Sequence, residues 1–312
     1  MKQEMQTIEQ AAAELRSLLS ASVLVKNHTY QKKDGSWDRL WAAMDALEDA
    51  QIAINSYSSL RKVNYLELYG LLQAFVVQQD SINHIKQTLL GGSLIVWRNE
   101  EPKLNDIRRI RNETVGHPSN IKTGKAGDSL FCNIDRSSIS KSGFGYLIWS
   151  SDGATRHTVR TKDIINTQKA EILRLVHLIT DGVIKIEDDH MKKFADEKLE
   201  NIYRKIDYYP FEKMYNYKND LEWAYRMFKM LKKIYLELRK KLEDRYGEFS
   251  KTINAPGLQD AIRNLDELFS RVDSKFKSGI KDDFDHRVYI DALHSQWKEL
   301  GTMIRETDEQ FS

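Results

Sequence analysis

Arg111, Asn112 and His117 are the residues whose types and spacing could do chemistry. They lie in the stretch Ile107–Pro118, which reads IRRIRNETVGHP. Cleaving RNA without a metal needs a base for the ribose 2′-hydroxyl, an acid for the departing 5′-oxygen, and cations for the charge that develops on phosphorus. His117 titrates near neutral pH and suits either proton-transfer role. Arg111 is a permanent cation whose parallel N–H groups match phosphate oxygens. Asn112 can orient the histidine or the ribose. No metal or cofactor is called for.

Six residues on an ideal helix turn through about 600°, which leaves Arg111 and His117 roughly 120° apart. A straight helix would not aim both at one substrate. The Gly116-His117-Pro118 break lets the chain unwind there. A two-fold dimer offers another solution, with two copies of the motif facing each other across the axis.

The elements that must position these residues are helical. Ile8, Ala11, Ala12, Leu15, Leu18 and Leu19 recur at helical spacing. Asp34-Gly35 reads as a turn, and Ser36 as the cap of a second helix through Trp37, Leu40, Trp41, Met44, Leu47, Ile54, Tyr57 and Leu60. A third runs from Asn64 to Leu90 and stops at Gly91-Gly92. Pro102 suits the first turn of a fourth, whose buried stripe is Leu104, Ile107 and Ile110. The motif ends this helix.

The texture then changes. Leu130–Ile134 and Phe144–Trp149 are rich in apolar and aromatic residues, with turn signals at Ser137–Gly143 and Asp152-Gly153. They predict a small β-hairpin or three-stranded meander over 128–161. Helix resumes near Asp163 and continues to about Ile186. Beyond Asp188, amphipathic helices follow at about 219–246, from Leu258 to Phe276, and through Leu293, Trp297, Leu300 and Ile304. The expected fold is mainly α. Residues 1–187 form a helical bundle with the β insertion, and 188–312 form a second all-helical bundle or coiled-coil-like region.

The 312 residues carry a net charge of only +2, so no whole-molecule field points to nucleic acid or membrane. Around the motif, residues 98–125 hold seven Lys/Arg against four Asp/Glu, a local excess that could serve phosphate. The single cysteine, Cys132, excludes an intrachain disulfide and any cysteine-rich metal site. No apolar run is long enough for a membrane span, and Met1–Gln10 does not read as a signal peptide. These features predict a cytoplasmic protein.

The pattern Arg111-Asn112-x4-His117, at the end of the fourth helix of an all-helical unit, resembles the Arg-x(4–6)-His signature of the HEPN superfamily. The run Tyr65–Asp80 looks like the core helix that precedes it in such proteins. The resemblance covers about residues 37–185. It implies a compact, dimeric bundle and a metal-independent endoribonuclease found in toxin–antitoxin pairs and antiviral defence. By carry-over Arg111 and His117 are catalytic and Asn112 is auxiliary. RNA is then the substrate, and a regulatory or antitoxin protein the partner. Some members carry a tyrosine two residues after the histidine that a partner nucleotidyltransferase modifies. Ser119 stands there, so that regulation does not carry over. The alternative is a non-catalytic HEPN-like module that binds RNA or protein.

Other residues have plainer readings. Arg108 and Arg109 read as a solvated helix face. Asp188-Asp189-His190 and Asp282–His286 read as polar segment boundaries rather than metal sites. The aromatic run Tyr208, Tyr209, Phe211, Tyr215 and Tyr217 is expected to pack the junction between the two helical regions. Gly124-Lys125 is no phosphate loop, because Ala126 replaces the required hydroxyl residue.

Overall fold

The computed structural model describes residues 6–22, 24–27, 35–116, 121–122, 129–249 and 255–311. His117, Pro118 and Ser119 lie outside the described residues. The chain is mainly helical with a small antiparallel sheet. Two compact units emerge. The described residues of Met1–Ala21 and Gly35–Ile184 form one, and those of Ser22–Asp34 and Lys185–Ser312 the other. The first unit is therefore assembled from two pieces of chain, which hydrophobic periodicity could not reveal. Among the described residues no helix is long and apolar enough to cross a membrane.

In the first unit, α1 spans Ile8–Ala21, α2 Ser36–Ser59 and α3 Tyr65–Leu90. Gly35, not Ser36, occupies the N-cap of α2, in a left-handed conformation (φ 74°) and with no side-chain cap. Asn64 caps α3 in a reciprocal box. Its side chain accepts from the Leu66 and Glu67 N–H groups, while Glu67 accepts from the Asn64 N–H. Loop 60–64 is short, so α2 and α3 fold back as a helical hairpin and carry much of the core. A single turn, α4 (Trp97–Glu100), precedes the motif helix α5 (Pro102–Arg111).

Strands β1 (Ile121–Lys122), β2 (Ser129–Ser140), β3 (Gly143–Ser150) and β4 (Gly153–Arg160) follow. Strands β2 to β4 form the antiparallel meander that the sequence predicts, and β1 adds a two-residue ladder to β2. The turn predicted within Ser137–Gly143 is there but shorter, because β2 runs on to Ser140 with a bulge between Asp135 and Ser140. Polar side chains hold the bulge. Asp135 accepts from the Ser137 N–H (3.1 Å), and Ser138 Oγ bonds both Asp135 O and the Gly145 N–H. The turn tightens to Lys141-Ser142, and a Cβ on Gly143 would lie 2.2 Å from the Val159 carbonyl oxygen. Helix α6 then runs over Thr161–Phe194.

The core of this unit is apolar except for a chain of buried amides. Leu15, Leu47, Leu72, Phe75, Leu104 and Val176 are fully buried. Among such residues, Gln168 of α6 donates to Gln78 Oε1 (3.0 Å) and to the Phe75 carbonyl (3.2 Å). Gln79 donates to Gln168 Oε1 (3.0 Å) and to the Leu104 carbonyl (3.3 Å). Gln78 reaches Gln51 of α2 (3.0 Å). A buried amide left unpaired costs about 1–3 kcal/mol, so this chain fixes the register of α2, α3, α5 and α6 against one another.

In the second unit, α7 (Leu199–Tyr203), α8 (Tyr209–Tyr215), α9 (Leu221–Tyr246), α10 (Pro256–Lys277) and α11 (Asp283–Gln310) surround a core that includes Phe228, Leu231, Tyr235, Leu265, Phe269 and Trp297. Phe211 and Tyr217 belong to this core, and Tyr208 rests on the His294 ring at 5.0 Å. Phe211, Tyr215 and Tyr217 thus pack within this unit, while Tyr208 and Tyr209 are exposed. Polar runs also find local partners. Asp282 caps α11 through the Asp285 N–H, and buried His286 bonds the Met214 carbonyl at 3.0 Å. His190 packs against Phe194 and Phe311.

Candidate active site at the end of the motif helix

Helix α5 does not simply stop. After Arg111 the backbone widens into a single π-helical turn, Asn112–Gly116. Such turns are rare and occur frequently at functional sites. Here a buried carboxylate accompanies the widening. Glu113 is 8% exposed, accepts from the Tyr146 hydroxyl (2.9 Å) on β3, and pairs with Arg109 (3.4 Å). The meander is therefore bolted to the motif through its buried face, where Ile134 and Tyr146 are register partners.

The three arginines have different fates. Arg108 pairs with Asp80 (2.7 Å), donates to Gln79 Oε1 (3.3 Å) and covers the Trp97 ring at 5.4 Å. It is tied into the amide chain rather than standing on a solvated face. Arg109 pairs with Glu113 and Asp106. Arg111 has no carboxylate partner among the described residues. Its Nε and Nη2 both donate to Gln73 Oε1, at 3.3 and 2.8 Å, and its Nη1 donates to Asn112 Oδ1 at 3.1 Å. Two neutral amides hold the guanidinium in place without cancelling its charge. Gly116 completes the arrangement, because a Cβ there would lie 2.5 Å from Arg111 Nη1.

Arg111 and Asn112 thus sit together, and Asn112 orients the arginine. The predicted partner His117 lies outside the described residues, so its distance from Arg111 is not part of this geometry.

Surroundings that the motif alone does not specify are aromatic. Tyr65, Tyr69 and Gln73 succeed one another at four-residue spacing along one face of α3. The tyrosine rings pack at 4.7 Å, their hydroxyls are 3.3 Å apart, and Arg136 covers the Tyr65 ring at 5.8 Å. Burial and the Tyr69 hydroxyl push the Tyr65 phenol up to about 12. The i, i+4, i+8 spacing was the signal in the sequence, but core packing explains such a stripe equally well. On the opposite face of the meander, Phe131 and Trp149 stack nearly parallel (12°) while 50% and 38% exposed.

Behind the motif the chemistry is kept neutral. Burial, then the Glu113 carboxylate, raises the Tyr146 phenol above its ordinary value. The same two causes push the Cys132 thiol up to about 11. Neither group is poised as a nucleophile at neutral pH. Among the described residues no group of three or more His, Cys, Asp or Glu could hold a metal ion. No protein-family model, curated protein or solved structure matches the chain.

Proposed function

We propose that this chain is a metal-independent endoribonuclease of the HEPN type, acting as a cytoplasmic homodimer in toxin–antitoxin or antiviral defence, with a regulatory or antitoxin protein as partner. The observation that carries the reading is Arg111, a cation held by Gln73 and Asn112 on a π-helical turn, with no described carboxylate to neutralise it. His117 withdraws the 2′-hydroxyl proton, and the 2′-oxygen attacks phosphorus. The bond to the 5′-oxygen breaks, and a protonated His117 from the facing copy of the motif gives that oxygen its proton. The products are a 2′,3′-cyclic phosphate and a 5′-hydroxyl end. Arg111 stabilises the equatorial oxygens, where charge develops. On an ideal helix Arg111 and His117 would diverge, and a second subunit that supplies the facing copy of the motif meets that difficulty.

The test is cleavage of varied RNA by the purified chain, with and without a chelator. Wild type cleaves in both conditions, and Arg111→Ala and His117→Ala each abolish cleavage and relieve growth arrest. Intact RNA with wild type, together with arrest that neither variant relieves, defeats the proposal.

A second reading is supported by the exposed Phe131–Trp149 stack, with Trp149 Nε1 held by Asn133 Oδ1 at 2.6 Å. Exposed rings of this kind can stack unpaired bases, as a non-catalytic RNA-binding module would need. RNA binding that survives His117→Ala, with no cleavage by either form, selects this reading.

A further inference from the structure

A cleft of about 960 Å3 opens in the first unit between the end of α2, strands β3 and β4, and the start of α6. It is separate from the motif: none of Gln73, Arg111, Asn112 or Glu113 lines it. Its floor is apolar, formed by Phe144, Val159 and Ile165, all buried. Its walls are cationic. Lys141, Arg156, Arg160, Lys162 and Lys169 face a single carboxylate, Asp163. Arg156 is engaged by Asp135 (2.8 Å), and Lys169 donates to Asn55 (2.9 Å). Lys141, Arg160 and Lys162 have no ion-pair partner among the described residues.

Two further features point to an anion. The 34-residue helix α6 begins in the cleft at Thr161, so its positive dipole end and first-turn amides are presented there. The Thr161 N–H is used by the Ser142 carbonyl (3.0 Å). Independently, the hydroxyls of Thr161 and Tyr57, both lining the cleft, are buried beside each other with no third partner among the described residues. These residues are 1% and 5% exposed. Two buried hydroxyls that meet only each other keep donor and acceptor capacity toward the site they border.

We propose that this cleft binds a small phosphorylated ligand. Its phosphate is held by Lys141, Arg160 and Lys162 at the start of α6, and its apolar body lies on Phe144, Val159 and Ile165. The volume falls within the range of small-molecule sites, about 300–1,000 Å3. Three uncompensated cations and a helix start suit a tetrahedral dianion better than a monovalent carboxylate.

Phenyl phosphate joins the two halves of this chemistry and serves as the probe. Calorimetric titration of the full chain at fixed ionic strength should show it binding at least about tenfold more tightly than inorganic phosphate or phenol. The double variant Arg160→Gln/Lys162→Gln should weaken phenyl phosphate by about tenfold or more while leaving the phenol titration unchanged. Lys141→Gln, in an exposed turn, should weaken it in the same direction and covers the case in which the double variant fails to fold. Equal binding of phenol and phenyl phosphate, unaltered affinity in folded variants, or displacement of phenyl phosphate by single-stranded RNA would overturn the proposal. None of these residues belongs to the motif, so the outcome does not depend on ribonuclease activity.

Discussion

The guanidinium of Arg111 lies directly over Gly116, so close that a Cβ on the glycine would stand 2.5 Å from Nη1. The glycine is needed for space rather than for an unusual backbone angle, because its φ is not positive. Gly116→Ala should therefore displace the arginine from Gln73 and Asn112 and lower RNA cleavage about tenfold or more. The cost in stability should be about 1 kcal/mol, since only the far end of a half-buried side chain must move. Single-turnover cleavage and urea unfolding on the same preparation separate the two effects.

Gln73 is the main holder of Arg111, receiving two of its donors. Gln73→Leu should leave the charge in place but free its orientation. The expected result is a cleavage rate well below wild type, with RNA affinity at low salt little changed. A rate equal to wild type would show that Asn112 alone suffices.

Gln168 ties α6 to α3, and both polar atoms of its side chain are used inside the core. Gln168→Leu leaves Gln78 Oε1 and the Phe75 carbonyl without this donor and deprives the Gln79 amide of an acceptor. At about 1–3 kcal/mol for each orphaned group, the variant should lose several kcal/mol in urea unfolding. Paired replacement of Gln78 and Gln168 by Leu should not recover that loss, because it removes the Gln78 Oε1 orphan but strands Gln51 Oε1 in its place.

Arg245 and Asp308 form a buried ion pair at 3.0 Å in the second unit, and Asp308 also receives the N–H groups of Leu199 and Glu200. Removing one partner strands the other charge. Asp308→Ala should destabilise this unit by about 3–5 kcal/mol. Thermal unfolding followed through Trp297, which lies in its core, reports the change.

The Cys132 thiol, buried and facing Glu113, is pushed up to about 11. A folded value above the unfolded one means that the protonated form stabilises the fold. That contribution is present in full below the unfolded value and is lost as pH rises through about 11. Stability should therefore fall from about pH 9 upward, with Tyr65 and Tyr146 adding to the fall at the alkaline end. At pH 8 a thiol reagent should label the native chain far more slowly than the urea-unfolded chain. Cys132→Ala should flatten the first part of the profile.

Much of this molecule was legible in its residues. Apolar spacing located the long helices, Pro102 opened the motif helix, and alternating aromatic runs marked the meander. Those signals are local: each reports one face of one element or one break in the chain. The motif was legible in the same way, since Arg111 and Asn112 are neighbours and needed no fold to meet. Only the tertiary structure could sort the three arginines, because a charge is neutralised by whatever packs beside it. Asp80 and Glu113 absorb Arg108 and Arg109, while Arg111 meets only amides. Glutamines scattered over α2, α3 and α6 are brought together and buried only by packing. The cleft at the start of α6 likewise depends on Lys141, Arg160 and Lys162 converging from a turn, a strand end and a helix start. Sequence determines which groups exist and which elements carry them. Distance, burial and the choice of partner are properties of the packed chain alone.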